Sequence, residues 1–144
     1  MRASIVIPLF NRVDLTRDCV RALKRHTPDN LYELILVDNA SSDETQLFCG
    51  SLQDVTALRN EQNLGFSVAC NQGAAAATGE IVVFLNNDTE VHPGWLQAIL
   101  VAFEDDEVGI TGSKLLFPDG RVQHAGVVML GQSKYPYLSA KHYP

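Results

Sequence analysis

The sequence has no apolar run approaching the roughly 18 residues that a membrane-spanning helix needs. Its first ten residues, MRASIVIPLF, carry one arginine and a short apolar run. They lack the longer apolar core and small-residue cleavage site of a signal peptide, so a cytoplasmic location is expected, free or peripheral at the inner membrane. Cysteine is scarce: Cys19, Cys49 and Cys70 are an odd, scattered set without a C-x-x-C pair. That excludes a disulfide framework and leaves buried, neutral thiols as the expectation. Basic residues are outnumbered, 11 Lys and Arg against 17 Asp and Glu, for a net charge of −6. A nucleic-acid partner needs a basic face and is not expected.

Glycine is missing where several nucleotide-binding classes require it. The connection PLFNRVD after the first apolar run contains none. A dinucleotide pyrophosphate approaches such a turn closely and needs glycine there, so NAD and FAD are excluded. The same gap disfavours a nucleotidyltransferase with its glycine-rich first loop. There is no G-x-x-x-x-G-K-[ST] phosphate loop and no G-x-S-x-G nucleophile elbow.

What is present is an ordinary globular balance, 46% hydrophobic and 19% charged over 144 residues, which fits one domain spanning 1–144 with a real core. SIVIPLF (4–10), ELILVDN (33–39), VTALRN (55–60) and EIVVFLNND (80–88) read as strands. Between them lie helical patterns. Leu15, Cys19, Val20 and Leu23 recur at helical spacing. Ser41 followed by Glu44 has the form of a capping box, which places a helix start there. The alanine-rich stretch after Gly65 suits a tightly packed helix that stops before Gly79. Pro93 sits at a natural first-turn position for a helix with Trp95, Leu96, Ile99, Leu100 and Phe103 on one stripe. Further on, 108–117 and 122–130 read as strands joined by the turn Pro118-Asp119-Gly120. The segment 133–144 shows no periodicity. Alternating strands and helices predict an α/β fold with a mostly parallel sheet, helices on both faces and an antiparallel addition near the C-terminus.

Three strands end in short polar side chains: PLFN, VDN and LNND. In a parallel sheet these ends share one edge, where ligands bind at the crevice beside the switch in strand order. Phe10, Asn11, Asp38, Asn86 and Asp88 are therefore expected to converge. Asp and Asn oxygens at a strand end suit Mg²⁺ or Mn²⁺, which complete their shells with water and substrate phosphates. Asp38 suits a ribose or a base N–H. Taken singly, each cluster reads equally well as a helix cap; two on one edge favour a site. Of the four histidines, His26, His92, His124 and His142, none has ligand spacing, and only His124 has a context suggesting substrate contact.

Five blocks, SIVIPLFNR, LILVDNASSD, NLGFSVACNQG, ATGEIVVFLNNDTEVHPGWL and GITGSKLLFPDGRVQHAGVV, occur in an order that resembles the family 2 glycosyltransferases, in particular the rhamnosyltransferase-like branch that builds surface polysaccharides. The resemblance runs from residue 4 to about 131. It implies a Rossmann-like GT-A nucleotide-sugar-binding domain and inverting transfer from a nucleoside diphosphate sugar, UDP- or dTDP-linked, to a glycan or lipid-linked acceptor. It implies that Pro8, Phe10 and Asn11 lie along the base, that Asp38 binds base or ribose, and that Asn63 and Gly65 shape the nucleotide pocket. Asn86, Asn87 and Asp88 occupy the DXD position, with Asp88 the metal and diphosphate residue. Two positions depart from the pattern: Asn86 replaces the first acid, and Cys70 stands where many members carry arginine. The family's general base is a carboxylate further on, and Asp105, Asp106 and Asp119 do not match it. No catalytic residue is therefore assigned, and 1–144 is expected to be the donor-binding part of a longer enzyme. The alternative is a non-catalytic nucleotide-binding or interaction module of the same fold. A homodimer is one way to cover an exposed apolar face of such a part.

Overall fold

Four strands with near-continuous apolar sequence form one parallel sheet in the computed structural model, which describes residues 1–128 and Tyr137–Leu138. They are β1 (Ala3–Leu9), β2 (Tyr32–Asp38), β3 (Val55–Arg59) and β4 (Ile81–Phe84), in the order β3-β2-β1-β4. Strands β1 and β2 are buried along almost their whole length. That is why they lack the alternation of a half-exposed strand. Helices α1 (Val13–His26), α2 (Thr45–Ser51) and α3 (Phe66–Ala76) make the connections.

Register sorts the side chains onto two faces. Val6 pairs with Ile35 and Pro8 with Val37, while Ile5, Ile7 and Leu9 pair with Leu34, Leu36 and Asp38. Helix α3 covers the first face over β1 and β2, while Val82 and Phe84 of β4 on that face are exposed. Ala69 packs with Val6, Ile35 and Val37, all fully buried. A Cβ on Gly73 would come within 2.2 Å of Val6, so glycine sets how closely α3 approaches the sheet. Helix α2 lies against β2, with Cys49 close enough to Asp38 to feel its charge, and α1 packs on α2. The second face is therefore covered as well. Each fully buried Ile, Leu or Val stabilises the fold by about 1.5–3 kcal/mol.

The chain divides into two compact units, Met1–Gly94 and Trp95–Pro144. The first holds the sheet. The second holds α4 (Trp95–Ala102), with Leu96 and Leu100 buried one turn apart. It also holds the antiparallel pairs β5 (Leu115–Leu116) with β6 (Val122–His124) and β7 (Val127–Val128) with β8 (Tyr137–Leu138). The Pro118-Asp119-Gly120 turn joins β5 to β6, closed by Phe117 N–H donating to Arg121 O at 2.8 Å.

Three local expectations differ. The strand expected over 108–117 shrinks to Leu115–Leu116, in keeping with its two glycines. Of the strand expected over 122–130, β6 and β7 are seen, and 129–130 lie outside the described residues, as does His142. The capping box does not form. Helix α2 starts at Thr45, whose N–H donates to Asp43 Oδ1 at 3.0 Å, and Ser41 Oγ accepts from Asn11 N–H instead at 2.8 Å.

Candidate functional site

The strand order places the topological switch between β1 and β4. The ladder between them ends at Val6–Phe84, followed by Leu85 N–H donating to Val6 O at 3.0 Å. Beyond that point the two strands part and a crevice opens, where α/β folds bind ligands. Pro8 stands at this parting. Val6 O faces β4 and Leu9 O faces Asn39 on the other side. By alternation the N–H that Pro8 lacks would point toward β4, where pairing has already stopped, so proline costs no ladder bond.

A cleft of about 400 Å³ occupies this place, lined by Pro8, Leu9, Phe10, Asn39 and Asn63 together with Gly65, Phe66, Asn86, Asn87 and Asp88. Seven of the nine residues singled out from sequence are in that lining: Pro8, Phe10, Asn63, Gly65, Asn86, Asn87 and Asp88. Phe10 is 51% and Phe66 59% exposed. Two large apolar rings open to water at one cleft offer faces for a flat ligand.

The Asn86-Asn87-Asp88 turn divides its roles by position. Asn87 Nδ2 donates to Thr16 Oγ1 of α1 at 3.1 Å, so the middle residue anchors the turn. Cys19 Sγ donates to Asn86 O at 3.6 Å. Burial pushes this thiol up to about 11, and the charge of Asp88 adds to the rise, so the sulfur stays protonated and able to donate. Thr89 N–H closes the turn on Asn86 O at 3.2 Å. Asn86 and Asp88 are left exposed.

Two expected residues sit outside the lining. Asp38 is buried, with Oδ1 accepting from Ser41 N–H at 2.9 Å and Oδ2 paired to Arg59. Asn11 ties the end of β1 to the loop after β2: its Oδ1 accepts from Ser42 N–H at 2.8 Å. Asn11 and Arg12 both take left-handed backbone angles, φ 57 and 56. Asn tolerates this better than most residues; the contacts of Asn11 to Ser41 and Ser42, and the next residue's Val13 N–H donating to Asp43, hold the pair there.

Asn39 was not singled out as a site residue, yet it organises the opposite wall. Its Oδ1 accepts from Asn60 Nδ2 at 2.9 Å and Leu64 N–H at 3.0 Å. Its Nδ2 donates to Asn63 Oδ1 at 2.9 Å and Gly65 O at 3.2 Å. The only sequence signal was its place at the end of VDN. Gly65, at φ 86, takes the turn into α3 that a side chain would strain. The three cysteines are free and buried, as expected. No described group of three His, Cys, Asp or Glu side chains forms a self-sufficient metal site. No helix among the described residues is long and apolar enough to cross a membrane.

The sequence pattern of Glycosyl transferase family 2 matches residues 4–135. The O-antigen biosynthesis protein RfbC of Myxococcus xanthus is 38% identical over 142 residues, covering 94% of this chain and 11% of that protein. The mannosyltransferase PcManGT of Pyrobaculum calidifontis, solved with GDP-Man and Mn²⁺, superposes with a TM-score of 0.64 at 25% identity over 74% of this chain and 33% of its own. TarS 1–349 of S. aureus, solved with UDP, gives a TM-score of 0.63 over 84% of this chain and 43% of its own; at 19% identity that likeness concerns the fold alone. The GT-A fold expected from the sequence is the one observed. The chain spans only a small part of each of these proteins, and within that part it belongs to glycosyl transferase family 2.

Proposed function

We propose that residues 1–144 form the donor-binding part of an inverting glycosyltransferase of the rhamnosyltransferase-like branch. It serves surface polysaccharide synthesis, passing a sugar from a UDP- or dTDP-sugar to a glycan or lipid-linked acceptor. One observation carries the reading. The crevice between β1 and β4 gathers two exposed aromatic rings and the exposed Asn86 and Asp88 in one cleft of about 400 Å³. That combination suits a ligand with a flat base at one end and a diphosphate at the other. The mannosyltransferase PcManGT, 25% identical and solved with GDP-Man and Mn²⁺, supports a nucleoside diphosphate sugar as the ligand.

In this reading Phe10 and Phe66 flank the base, with Pro8 and Gly65 at its edges. For Asp38 to reach base or ribose, its carboxylate must exchange the Ser41 contact or the Arg59 pair for the ligand. Asn11 acts through the loop it holds. Asp88 and Asn86 supply one carboxylate and one amide oxygen. That set is too small for a free-standing cage, but it fits Mg²⁺ or Mn²⁺, which commonly take one or two carboxylates and fill the rest with water and substrate phosphates. A bound ion supplies charge neutralisation for the departing diphosphate. Asn87, anchored to Thr16, keeps its neighbours turned to the cleft.

Two of the late acids are engaged locally: Asp105 Oδ1 accepts from Glu107 N–H, and Asp119 pairs with Arg121. Neither is offered as the general base. That none of Asp105, Asp106 and Asp119 matches the family's general base motivates a second reading, a module that binds nucleotide without turnover.

Calorimetric titration of UDP and dTDP, with and without Mn²⁺, tests the proposal. Metal-dependent binding is expected, weakened by Asp88→Ala at least tenfold, about 1.4 kcal/mol. Unchanged affinity of that variant in Mn²⁺ would remove Asp88 from the site.

A further inference from the structure

The wall formed by 63–65 is held by an amide whose orientation backbone atoms dictate. Leu64 N–H can only donate, so the Asn39 atom facing it is Oδ1. Gly65 O can only accept, so the atom facing it is Nδ2. Both ends of the Asn39 carboxamide are thus read by one short loop. The residue is 4% exposed, and its side chain uses both Nδ2 hydrogens and two acceptor positions on Oδ1. A brace lies behind it. Asn60 donates to Asn39 and exchanges a reciprocal pair of hydrogen bonds with Gln72 of α3, 2.8 Å each way.

The consequence falls on Asn63. Its Oδ1 accepts from Asn39 Nδ2 and from Gly65 N–H, both at 2.9 Å. The oxygen end of the Asn63 amide is turned into its own loop. Its NH₂ end has no partner among the described residues, and Asn63 is exposed in the cleft lining.

We propose that Asn39 is a positioning residue that fixes Asn63 so that its NH₂ faces the cleft and selects a hydrogen-bond-accepting oxygen of the nucleotide. This rests on the cleft being the donor site. A carbonyl on the base or an oxygen of ribose or phosphate satisfies that donor. An exocyclic amino group at the same place meets a like group and is disfavoured. The arrangement exists before any ligand arrives, so its ordering cost is already met. Asn39→Asp is nearly isosteric, but a carboxylate opposes Gly65 O and Asn63 Oδ1 instead of donating to them.

Two measurements on the whole chain test this. Side-chain amide NMR of the ligand-free protein reads the orientation directly. Slow exchange of the Asn39 NH₂ and fast exchange of the Asn63 NH₂ are expected, and the reverse pattern overturns the proposal. UDP affinity in Mn²⁺ is then compared with melting temperature for wild type and Asn39→Asp. The expected result is at least a tenfold loss of UDP affinity in a variant that still melts cooperatively, with the Asn63 NH₂ becoming protected on UDP binding only in wild type. A variant that binds UDP within threefold of wild type, or an Asn63 NH₂ that UDP leaves unprotected in wild type, overturns it. Wild type that binds neither UDP nor dTDP defeats the donor-site reading, and with it the selection by Asn63; the hold of Asn39 on the loop then stands or falls on the exchange pattern alone.

Discussion

At the amino edge of the parallel sheet, polar groups meet each other; at the carboxyl edge most do so too, but Asn86 and Asp88 beside the cleft are left open. Glu33 at the start of β2 accepts from the hydroxyl of Ser4, from Thr78 N–H at 2.6 Å, from Thr78 Oγ1 at 2.9 Å and from Gly79 N–H at 3.2 Å. One carboxylate thereby sews β1, β2 and the entry to β4 together. At the other end of the same strands, Asp88 and Asn86 are exposed, with their neighbours Asn87 and Cys19 taking the structural contacts. The difference separates two uses of the same residue types. A satisfied carboxylate holds a fold; an unsatisfied one beside a cleft is available to a ligand. Substitutions at the first edge are expected to lower stability and spare nucleotide binding, and those at the second to do the opposite.

The largest effect should come from Gly79→Ala. A Cβ there would stand 2.7 Å from Ala3 C and Ser4 N, both backbone atoms that cannot swing aside. The sheet must shift, at a cost of about 3 kcal/mol. Urea denaturation measures it, and a loss under about 1 kcal/mol would show that this edge is softer than its contacts imply.

Glu33→Ala comes next. It leaves the Ser4 hydroxyl and the Thr78 and Gly79 N–H groups without their acceptor, and about 2 kcal/mol of stability should go. The acid dependence gives a finer test. The Ser4 hydroxyl, with Thr78 and Gly79, holds the Glu33 carboxyl down from 4.5 to about 2 against the opposing effect of burial. A lowered carboxyl favours the fold when ionised. Its contribution is complete above pH 4.5 and is lost as the pH falls through about 2. Between those limits the melting temperature of wild type should therefore fall more steeply than that of Glu33→Gln. Parallel slopes would assign the acid sensitivity to other groups, such as Asp14 or Asp43, whose carboxyls are also held low.

The sequence made the fold legible where the signal is local. The apolar runs gave the four strands, helical spacing gave α1, and the alanine-rich stretch between Gly65 and Gly79 gave α3. The polar strand ends pointed to the crevice edge, since strand direction alone puts them there. What stayed hidden depends on partners far along the chain. Ser41 and Glu44 have the spacing of a capping box, but Ser41 Oγ serves Asn11, thirty residues away. Asp38 has the composition of a ligand contact, yet Arg59 on β3 closes on it. Asn39 looks like any polar residue ending a strand; its role depends on Asn60, Asn63 and Gly65 arriving beside it. Neither local propensity nor periodicity within one element carries a record of such meetings.

The smallest effect sharpens the carboxyl-edge half of the comparison. Phe10 is 51% exposed at the end of β1, so removing its ring exposes little that is now covered. Phe10→Ala should change stability by no more than about 0.5 kcal/mol. If the ring stacks on the base, UDP affinity should fall about fivefold, near 1 kcal/mol, the size of one aromatic contact beyond simple burial. The fall should also appear with uridine alone, because a base contact does not need the diphosphate. Metal dependence should be unchanged, since Asp88 remains. Affinity lost for UDP but not for uridine would place Phe10 near the phosphates instead, and the base would then have to lie against Phe66 on the opposite wall.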